Sequence, residues 1–415
     1  MPVLHNIGWL ATCRDGPQEA IYPIEKAALV WKEDTIEWVG PADALPDAYY
    51  DDEWLDAEGM MVVPGLVDCH THLAFAGWRA DEFALRCKGV SYLEIARQGG
   101  GILRTVQDTR KATEEELLHR CKGFLREMAL LGITTVEAKS GYGLTVEDEL
   151  KLLRVYQQLN TQQPVAIVPT FLGAHTFPPE YQQDREGYMQ LILKEMLPRV
   201  AFEELAEFCD VFVEETAFTV EEARRILAKA RSLGLKAKIH ADQLHDGGGA
   251  LLAAEMGAVS ADHLEYTGEA GIRAMARAGV VAVSLPLASL YLRQRPMAAR
   301  RFIDAGVPVA VATDFNPGSA PSYHLPLAMT LACVLNMMAP AEVLKGVTYI
   351  AAKAICREHE IGSLEPGKRA NFILVDAPDV NHWLYFYRPD AVRATFIRGR
   401  QVVEADFQED DYGVA

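Results

Sequence analysis

The chain has 415 residues, 50% of them hydrophobic, and a formal net charge of −18. This length suits one large domain with an appended module, and the hydrophobic fraction can fill a sizeable core. The acidic balance argues against nucleic acid and anionic membrane surfaces as partners, because both would repel the chain. An anionic substrate would need a local basic group to hold it.

The two ends of the chain carry similar patterns. Residues 1–60 contain short strand-like segments such as Ala27–Trp31 and Thr35–Val39. Residues 361–415 contain two more, at 372–375 and 394–403, with a Glu-Pro-Gly-Lys turn nearby. We therefore predict that residues 1–60 and 361–415 form one small β-sandwich module built from both termini.

Residues 61–360 alternate apolar runs with amphipathic helices. The runs are rich in Val and Ile with little polar alternation, as expected of strands buried on both faces of a parallel sheet. Capping boxes at Thr113–Glu116 and Thr219–Glu222 mark helix starts between them. The eight runs are Met61–Asp68, Ile133–Ala138, Val165–Leu172, Asp210–Glu214, Leu235–Ile239, Ala258–Ala261, Val280–Ser284 and Val307–Ala312. They predict an α/β fold with a (β/α)8, TIM-like barrel. An open doubly wound sheet is disfavoured because no glycine-rich nucleotide loop follows a strand.

The cysteines and the first residues bear on location. The seven cysteines include no Cys-x-x-Cys pair, and several lie in apolar runs, which is typical of reduced thiols in a cytosolic protein. Residues 1–15 lack the basic region and apolar run of a signal peptide. The longest apolar-looking stretch, 280–292, is too short and too polar to span a bilayer. We expect a cytoplasmic protein that does not insert into membranes.

Chemistry-bearing residues fall at the ends of the predicted barrel strands. Five of the eleven histidines and one aspartate lie there: His70, His72, His175, His240, His263 and Asp314. The carboxyl ends of barrel strands converge on one mouth, so these side chains should share a pocket.

The His70-x-His72 spacing places two imidazoles on the same side of an extended strand. Such a pair is by itself compatible with two hydrogen-bonded histidines. Together with His240 and Asp314 it favours a metal site, and this donor set suits Zn²⁺ or iron better than Mg²⁺ or Ca²⁺. His263 is either a fifth ligand or a group that handles protons.

Other residues near the predicted mouth have two interpretations each. Arg79, in the loop after the first strand, is by its position a solvated surface group or a functional group of the mouth. Tyr142, between two glycines after the second strand, belongs to a simple turn or presents its hydroxyl at the mouth. Asn316, Gly318 and Ser319 form an ordinary turn or offer backbone N–H groups to an anion.

Seven segments of the chain carry a resemblance to known proteins: Val63–His72, Asp81–Phe83, Gly99–Ile102, Glu137–Leu144, Leu172–His175, Ser260–Glu265 and Thr313–Gly318. They resemble the amidohydrolase superfamily and, more closely, the imidazolonepropionase family of histidine degradation. The His-x-His pair and the last aspartate are common to the superfamily, whereas Lys-Ser-Gly-Tyr-Gly-Leu and Asp-Phe-Asn-Pro-Gly are far more specific.

The resemblance implies hydrolysis of the cyclic amide of 4-imidazolone-5-propanoate to N-formimidoyl-L-glutamate. It implies one Zn²⁺ or iron ion per chain, because no lysine ends the fourth strand as it does in binuclear relatives. The implied metal ligands are His70, His72, His240 and Asp314. The implied contacts with the small anionic substrate are Arg79, Tyr142, His175, Gln243, Asn316, Gly318 and Ser319.

The resemblance also implies a mechanism. Asp314 accepts a proton from the attacking water, and His263 or His175 helps to stabilise the oxyanion. Gln243 stands where some family members have Glu, and an amide cannot shuttle a proton, so we expect it only to hold the ring. A homodimer is a further expectation.

Two other functions are compatible with the same barrel. A cyclic amidine deaminase would carry a proton-shuttling Glu three residues after the fifth-strand histidine, where Gln243 stands. A non-catalytic scaffold would be expected to have lost metal ligands, all of which this chain retains.

Overall fold

The computed structural model describes residues 1–90, 94–95, 99–403 and 406, and two sheets organise them. Across these ranges one sheet has eight parallel strands that run in sequence order around a barrel. They are β6 Leu66–Thr71, β7 Ile133–Lys139, β8 Ala166–Ala174, β9 Phe208–Val213, β10 Lys236–Ala241, β11 Ser260–His263, β12 Val281–Ser284 and β13 Val309–Val311. The predicted (β/α)8 barrel is confirmed.

The barrel closes between its first and last strands. Asp314 N–H donates to the carbonyl of His70 at 3.0 Å, and His72 N–H donates to the carbonyl of Phe315 at 2.8 Å. These bonds join the segment after β13 directly to β6. As a result, the two histidines of the first strand lie beside the aspartate that follows the last one.

Helices connect successive strands and cover the barrel. The capping boxes predicted at Thr113–Glu116 and Thr219–Glu222 are both formed. The helices that the structure describes are Ala80–Cys87, Ile102–Lys111, Glu114–Leu130, Val146–Gln162, Arg185–Leu191, Leu197–Phe202, Val220–Ser232, Gly249–Met256, Glu269–Ala278, Pro286–Leu292, Ala299–Asp304, Leu325–Leu335, Pro340–Gly346, Tyr349–Ala354 and Val380–Tyr385. Among them, none is both long enough and apolar enough to cross a membrane.

The second sheet combines strands from both ends of the chain. Its strands are β1 Val3–Ala11, β2 Pro23–Lys32, β3 Thr35–Pro41, β4 Trp54–Asp56, β5 Met61–Pro64, β14 Phe372–Val375, β15 Val392–Ile397 and β16 Arg400–Gln401. Among the residues described, they pair in the order β16-β15-β14-β5-β1-β2-β3, with β4 beside β1.

This sheet folds back over its own apolar face. Trp31 on β2 and Phe396 on β15 are separated by three strands in the pairing order, yet their ring centroids are 6.0 Å apart. Four strand spacings of about 4.8 Å would separate them in a flat sheet. The Trp31 ring also lies 5.2 Å from that of Phe372, and its Nε1 donates to the Gly399 carbonyl at 3.0 Å. N- and C-terminal residues therefore share one core.

The prediction of a single barrel strand at Met61–Asp68 is wrong. The run divides at Gly65: Met61–Pro64 pairs with β14 in the terminal sheet, and Leu66 begins the barrel. A side chain at Gly65 would overlap Thr134, so the chain crosses between the two sheets at a residue that has none. Both halves are fully buried, and hydrophobicity therefore cannot show that they belong to different sheets.

Candidate active site

Three histidines and one aspartate meet at the barrel mouth. Potential ligand atoms of His70, His72 and His240 lie within 4.8 Å of one another. Asp314 Oδ1 is 3.4 Å from Nε2 of both His70 and His72. A second such group joins His70 and Asp314 to His263. The predicted metal ligands are thus brought together, with His263 beside them.

Several nitrogen atoms in this cluster lack a hydrogen-bond partner although they are buried. They are His70 Nε2, His72 Nδ1, His263 Nδ1 and His240 Nε2. A buried polar atom without a partner costs free energy, so a group of them needs an explanation. Imidazole nitrogens beside a carboxylate form the donor set of a Zn²⁺ or iron site, and the residues therefore fit a metal ion.

A carboxylate lies behind each of two histidines. Asp262 Oδ2 is 2.6 Å from His70 Nδ1, and Asp210 Oδ2 is 3.0 Å from His240 Nδ1. These contacts favour a proton on Nδ1 of each ring. The lone pair of Nε2 then stays available to a metal ion. Carboxylates in this position orient metal-binding histidines and make them more basic.

The electrostatics of the cluster favour neutral imidazoles at two positions. Burial lowers the pKa of His72 to about 3 and that of His240 to about 4. Burial also disfavours the charged form of His70, but contacts with Asp262 and Asp314 raise its pKa to about 9. Of these histidines, His70 is therefore the one whose protonated form the neighbouring carboxylates favour.

The backbone is strained next to the cluster. His263, Leu264 and Asp314 have φ angles of 79°, 67° and 56°, in a region that residues with side chains rarely adopt. Strain of this kind persists only where the surroundings impose it, and it concentrates at functional sites.

Tyr142 and His175 form one wall of the site. The His175 ring stacks on His72 with centroids 5.0 Å apart, and the Tyr142 ring lies 5.4 Å from His175. His175 Nδ1 donates to the Gly141 carbonyl at 3.0 Å. Burial, followed by His72 and His240, holds the pKa of His175 well below its usual value. The ring is therefore neutral, and its Nε2 can accept a hydrogen bond but cannot donate one.

A buried carboxylate shapes the loop that carries Tyr142. Glu149 accepts the backbone N–H groups of Gly141, Gly143 and Leu144, with shortest distances of 3.0, 2.8 and 2.8 Å. The sequence analysis did not single out this residue. Glu149 is the charged residue on the buried face of the helix Val146–Gln162, whose other buried residues are Leu, Val and Tyr. A charged residue within this otherwise largely apolar pattern was the feature of the sequence that could have identified it.

Arg79 is buried rather than solvated. Its side chain is 7% exposed, and its nearest carboxylate oxygen, Glu82 Oε2, is 3.9 Å from Nη1. Its Nε and Nη1 atoms make no hydrogen bond within the described residues. The guanidinium packs against Gly318, where a β-carbon would overlap it. Arg86 contacts the same residue, because its Nη2 donates to the Gly318 carbonyl at 3.0 Å.

The loop after Asp314 is ordered by its own asparagine. Asn316 Oδ1 accepts the N–H groups of Gly318 and Ser319, both at 2.8 Å. Asn316 Nδ2 donates to the Asp314 carbonyl at 2.6 Å and to Ser319 Oγ at 2.9 Å. The two backbone amides are thus used inside the loop. Ser319 Oγ lies 3.5 Å from Asp314 Oδ2.

Gln243 is buried in the segment that follows β10. The preceding residue, Asp242, accepts N–H groups from Gly247 and Gly249 at 3.2 and 2.9 Å, and the Thr267 hydroxyl at 2.8 Å. The next residue, Leu244, donates its N–H to Glu214 at 3.0 Å. Carboxylates therefore hold the chain on both sides of Gln243.

Comparison with known proteins identifies a matching family model and similar sequences. A family model described as the amidohydrolase family matches residues 61–402. An imidazolonepropionase from Shouchella clausii is 52% identical over 350 residues, covering 84% of this chain and 78% of that protein. An imidazolonepropionase from Fusobacterium nucleatum is 46% identical over 406 residues, covering 96% and 98%.

Solved structures share the fold at much lower identity. Guanine deaminase from E. coli is 16% identical with a TM-score of 0.72, covering 97% of this chain and 100% of that one. An adenosine deaminase from Xanthomonas campestris with bound zinc is 19% identical with a TM-score of 0.71, covering 99% and 94%. The family match over most of the chain, together with the imidazolonepropionases at 46% and 52% identity, shows that the protein belongs to the amidohydrolase family and, within it, to the imidazolonepropionases.

Proposed function

We propose that this protein hydrolyses the cyclic amide of 4-imidazolone-5-propanoate to N-formimidoyl-L-glutamate in histidine degradation. The name shared by relatives that are 46–52% identical supports this substrate. The structural observation that carries the proposal is the position of Arg79. Its buried guanidinium packs on Gly318, four residues after Asp314. A carboxylate-bearing substrate could thus be anchored near the cluster that acts on its ring.

We assign one Zn²⁺ or iron ion to His70, His72, His240 and Asp314. The zinc in the adenosine deaminase structure supports zinc as one of the two candidates. When bound, such an ion lowers the pKa of a water molecule to about 7 and polarises a carbonyl group. The homodimer and the cytoplasmic location stay predictions.

Asp314 is the proton acceptor in this proposal. Burial opposes its ionisation, but its contacts with His70 and His72 hold the pKa of Asp314 well below the usual range. The carboxylate is therefore ionised and can take a proton from the water that attacks the ring carbonyl carbon. It returns that proton to the ring nitrogen as the C–N bond breaks, so the reaction consumes one water molecule and no net proton.

His263 is the better candidate for stabilising the oxyanion. His175 was an equal candidate in the sequence analysis, but its Nδ1 proton is used by the Gly141 carbonyl. His263 Nδ1 lies 3.6 Å from Glu265 Oε1 without a hydrogen bond. We assign oxyanion stabilisation to His263. His175 and Tyr142 contact the substrate, with His175 Nε2 accepting a hydrogen bond, and Gln243 holds the ring through its neutral amide.

The experiment is a hydrolysis assay with freshly generated imidazolone propionate, followed by loss of the ring's ultraviolet absorbance. The proposal expects metal-dependent turnover with little ammonia. Stoichiometric ammonia release from a cyclic amidine, without turnover of imidazolone propionate, would favour the deaminase instead.

A further inference from the structure

One buried lysine connects the supports of two proposed metal ligands. Lys139 ends β7 and is fully buried in the barrel. Its Nζ lies 2.8 Å from Asp210 Oδ2, 3.5 Å from Asp262 Oδ2 and 2.9 Å from Glu137 Oε1. The first two oxygens are the same atoms that contact His240 Nδ1 and His70 Nδ1.

The other carboxylate oxygens are already fixed. Asp210 Oδ1 accepts the backbone N–H of His240 at 3.1 Å, and Asp262 Oδ1 accepts the Ser260 hydroxyl at 2.7 Å. Each aspartate is therefore held at one oxygen by its own strand environment. At the other oxygen it is held between a histidine and Lys139. Rotation of either carboxylate would break both contacts of that second oxygen.

Charge makes the lysine important to this geometry. Asp210, Asp262 and Glu137 bring three carboxylates to a single ammonium group in a site that excludes water. Without this ammonium, the carboxylates would repel one another, and Asp210 and Glu137 would lose the ammonium that lies within ion-pair distance of them in a low-dielectric interior. They would separate, and the imidazole rings that they orient would move with them.

We propose that Lys139 is a positioning residue that sets the orientation of His70 and His240 together, and hence the affinity of the site for its metal. This inference rests on the metal site of the proposed function. It also gives a physical role to the first residue of the Lys-Ser-Gly-Tyr-Gly-Leu segment. Lys139 supports the metal ligands from below, while Tyr142 lies at the mouth.

The test measures metal binding rather than turnover. Metal-free wild-type protein and Lys139→Met are titrated with Co²⁺ against a competing chelator, and the visible absorption of the bound ion is recorded. Loss of a group that orients metal ligands typically weakens binding by about 10- to 100-fold, and we expect that loss with an altered spectrum. Lys139→Gln, whose amide can still donate to one carboxylate, should give a smaller loss. It also provides the test if the Met variant does not fold.

Lys345 provides the matched control. It is a fully buried lysine on the helix Pro340–Gly346, its Nζ donates to the carbonyls of Arg14 and Ala20, and it forms no ion pair within the described residues. Lys345→Met should leave the spectrum unchanged and the affinity within about threefold, since the ligands keep their supports. Unchanged binding in the folded Lys139 variants, or equal losses in the Lys139 and Lys345 variants, would overturn the inference. Failure of the wild-type protein to bind Co²⁺ or Zn²⁺ would instead overturn the proposed metal site.

Discussion

The guanidinium of Arg79 lies directly against the α-carbon of Gly318, in space that any side chain at position 318 would occupy. We therefore predict that Gly318→Ala displaces Arg79 and raises KM for imidazolone propionate by about tenfold or more, which corresponds to a loss of about 1.4 kcal/mol of binding free energy. Metal content should not change, because neither residue is a proposed ligand. Steady-state kinetics and metal analysis of the same preparation provide the measurement.

Gly123 provides a control, because the same substitution there causes no steric overlap. It lies exposed within the helix Glu114–Leu130, and a β-carbon there meets nothing within 4 Å. Gly123→Ala should leave KM unchanged and stabilise the fold by about 1 kcal/mol through helix propensity. Equal KM values for the Gly318 and Gly123 variants would show that Gly318 does not position Arg79.

Substitutions of Arg79 should show whether substrate binding needs only a positive charge or also the planar geometry of the guanidinium. A guanidinium can pair with a carboxylate through two parallel hydrogen bonds, whereas lysine keeps the charge but loses this geometry. We expect Arg79→Ala to raise KM by about 100-fold and Arg79→Lys to recover only part of that loss, with metal retained in both. A substrate analogue without the carboxylate should be nearly indifferent to both changes. Equal damage to both substrates would remove the anchor role.

Removal of a proposed metal ligand should abolish activity together with metal binding. His70→Ala or His240→Ala removes a nitrogen donor from a site with four proposed protein ligands, so each should abolish both metal retention and turnover. Metal analysis of the purified variants, with circular dichroism to confirm folding, provides the measurement. Full metal content in both variants would contradict the ligand assignment.

Substitution of Gln243 tests whether this residue only positions the ring in the proposed mechanism. An amide cannot transfer a proton, so the proposal gives Gln243 only a positioning role. Gln243→Glu should then keep substantial activity, with an altered pH dependence measured from kcat/KM profiles. A collapse as deep as that of Asp314→Asn would mean that the neutral amide is essential.

The fold and the primary cluster were accessible from the sequence for physical reasons. Strands buried on both faces leave continuous apolar runs, and residues at their carboxyl ends must converge on one mouth. The sequence alone therefore predicts that His70, His240 and Asp314 lie close together. The division of Met61–Asp68 at Gly65 could not be seen, because both halves are equally buried.

The residues that contact and orient the histidine cluster could not be identified from the sequence. Asp210, Asp262 and Lys139 lie inside apolar strands, and no local spacing rule shows that three strands bring them into contact. Arg79 could not be assigned to surface or interior, because its burial depends on Gly318, which is distant in sequence. The use of the Gly318 and Ser319 amides by Asn316 likewise depends on the folded loop.

The most direct measurement compares metal-depleted and metal-reconstituted protein with imidazolone propionate as substrate and identifies the product by mass spectrometry. We predict no turnover without metal. Restored turnover with Zn²⁺ or iron should yield N-formimidoyl-L-glutamate, one water molecule heavier than the substrate. Undiminished hydrolysis by protein shown to be metal-free, or reconstituted protein that leaves this substrate intact, would contradict the account.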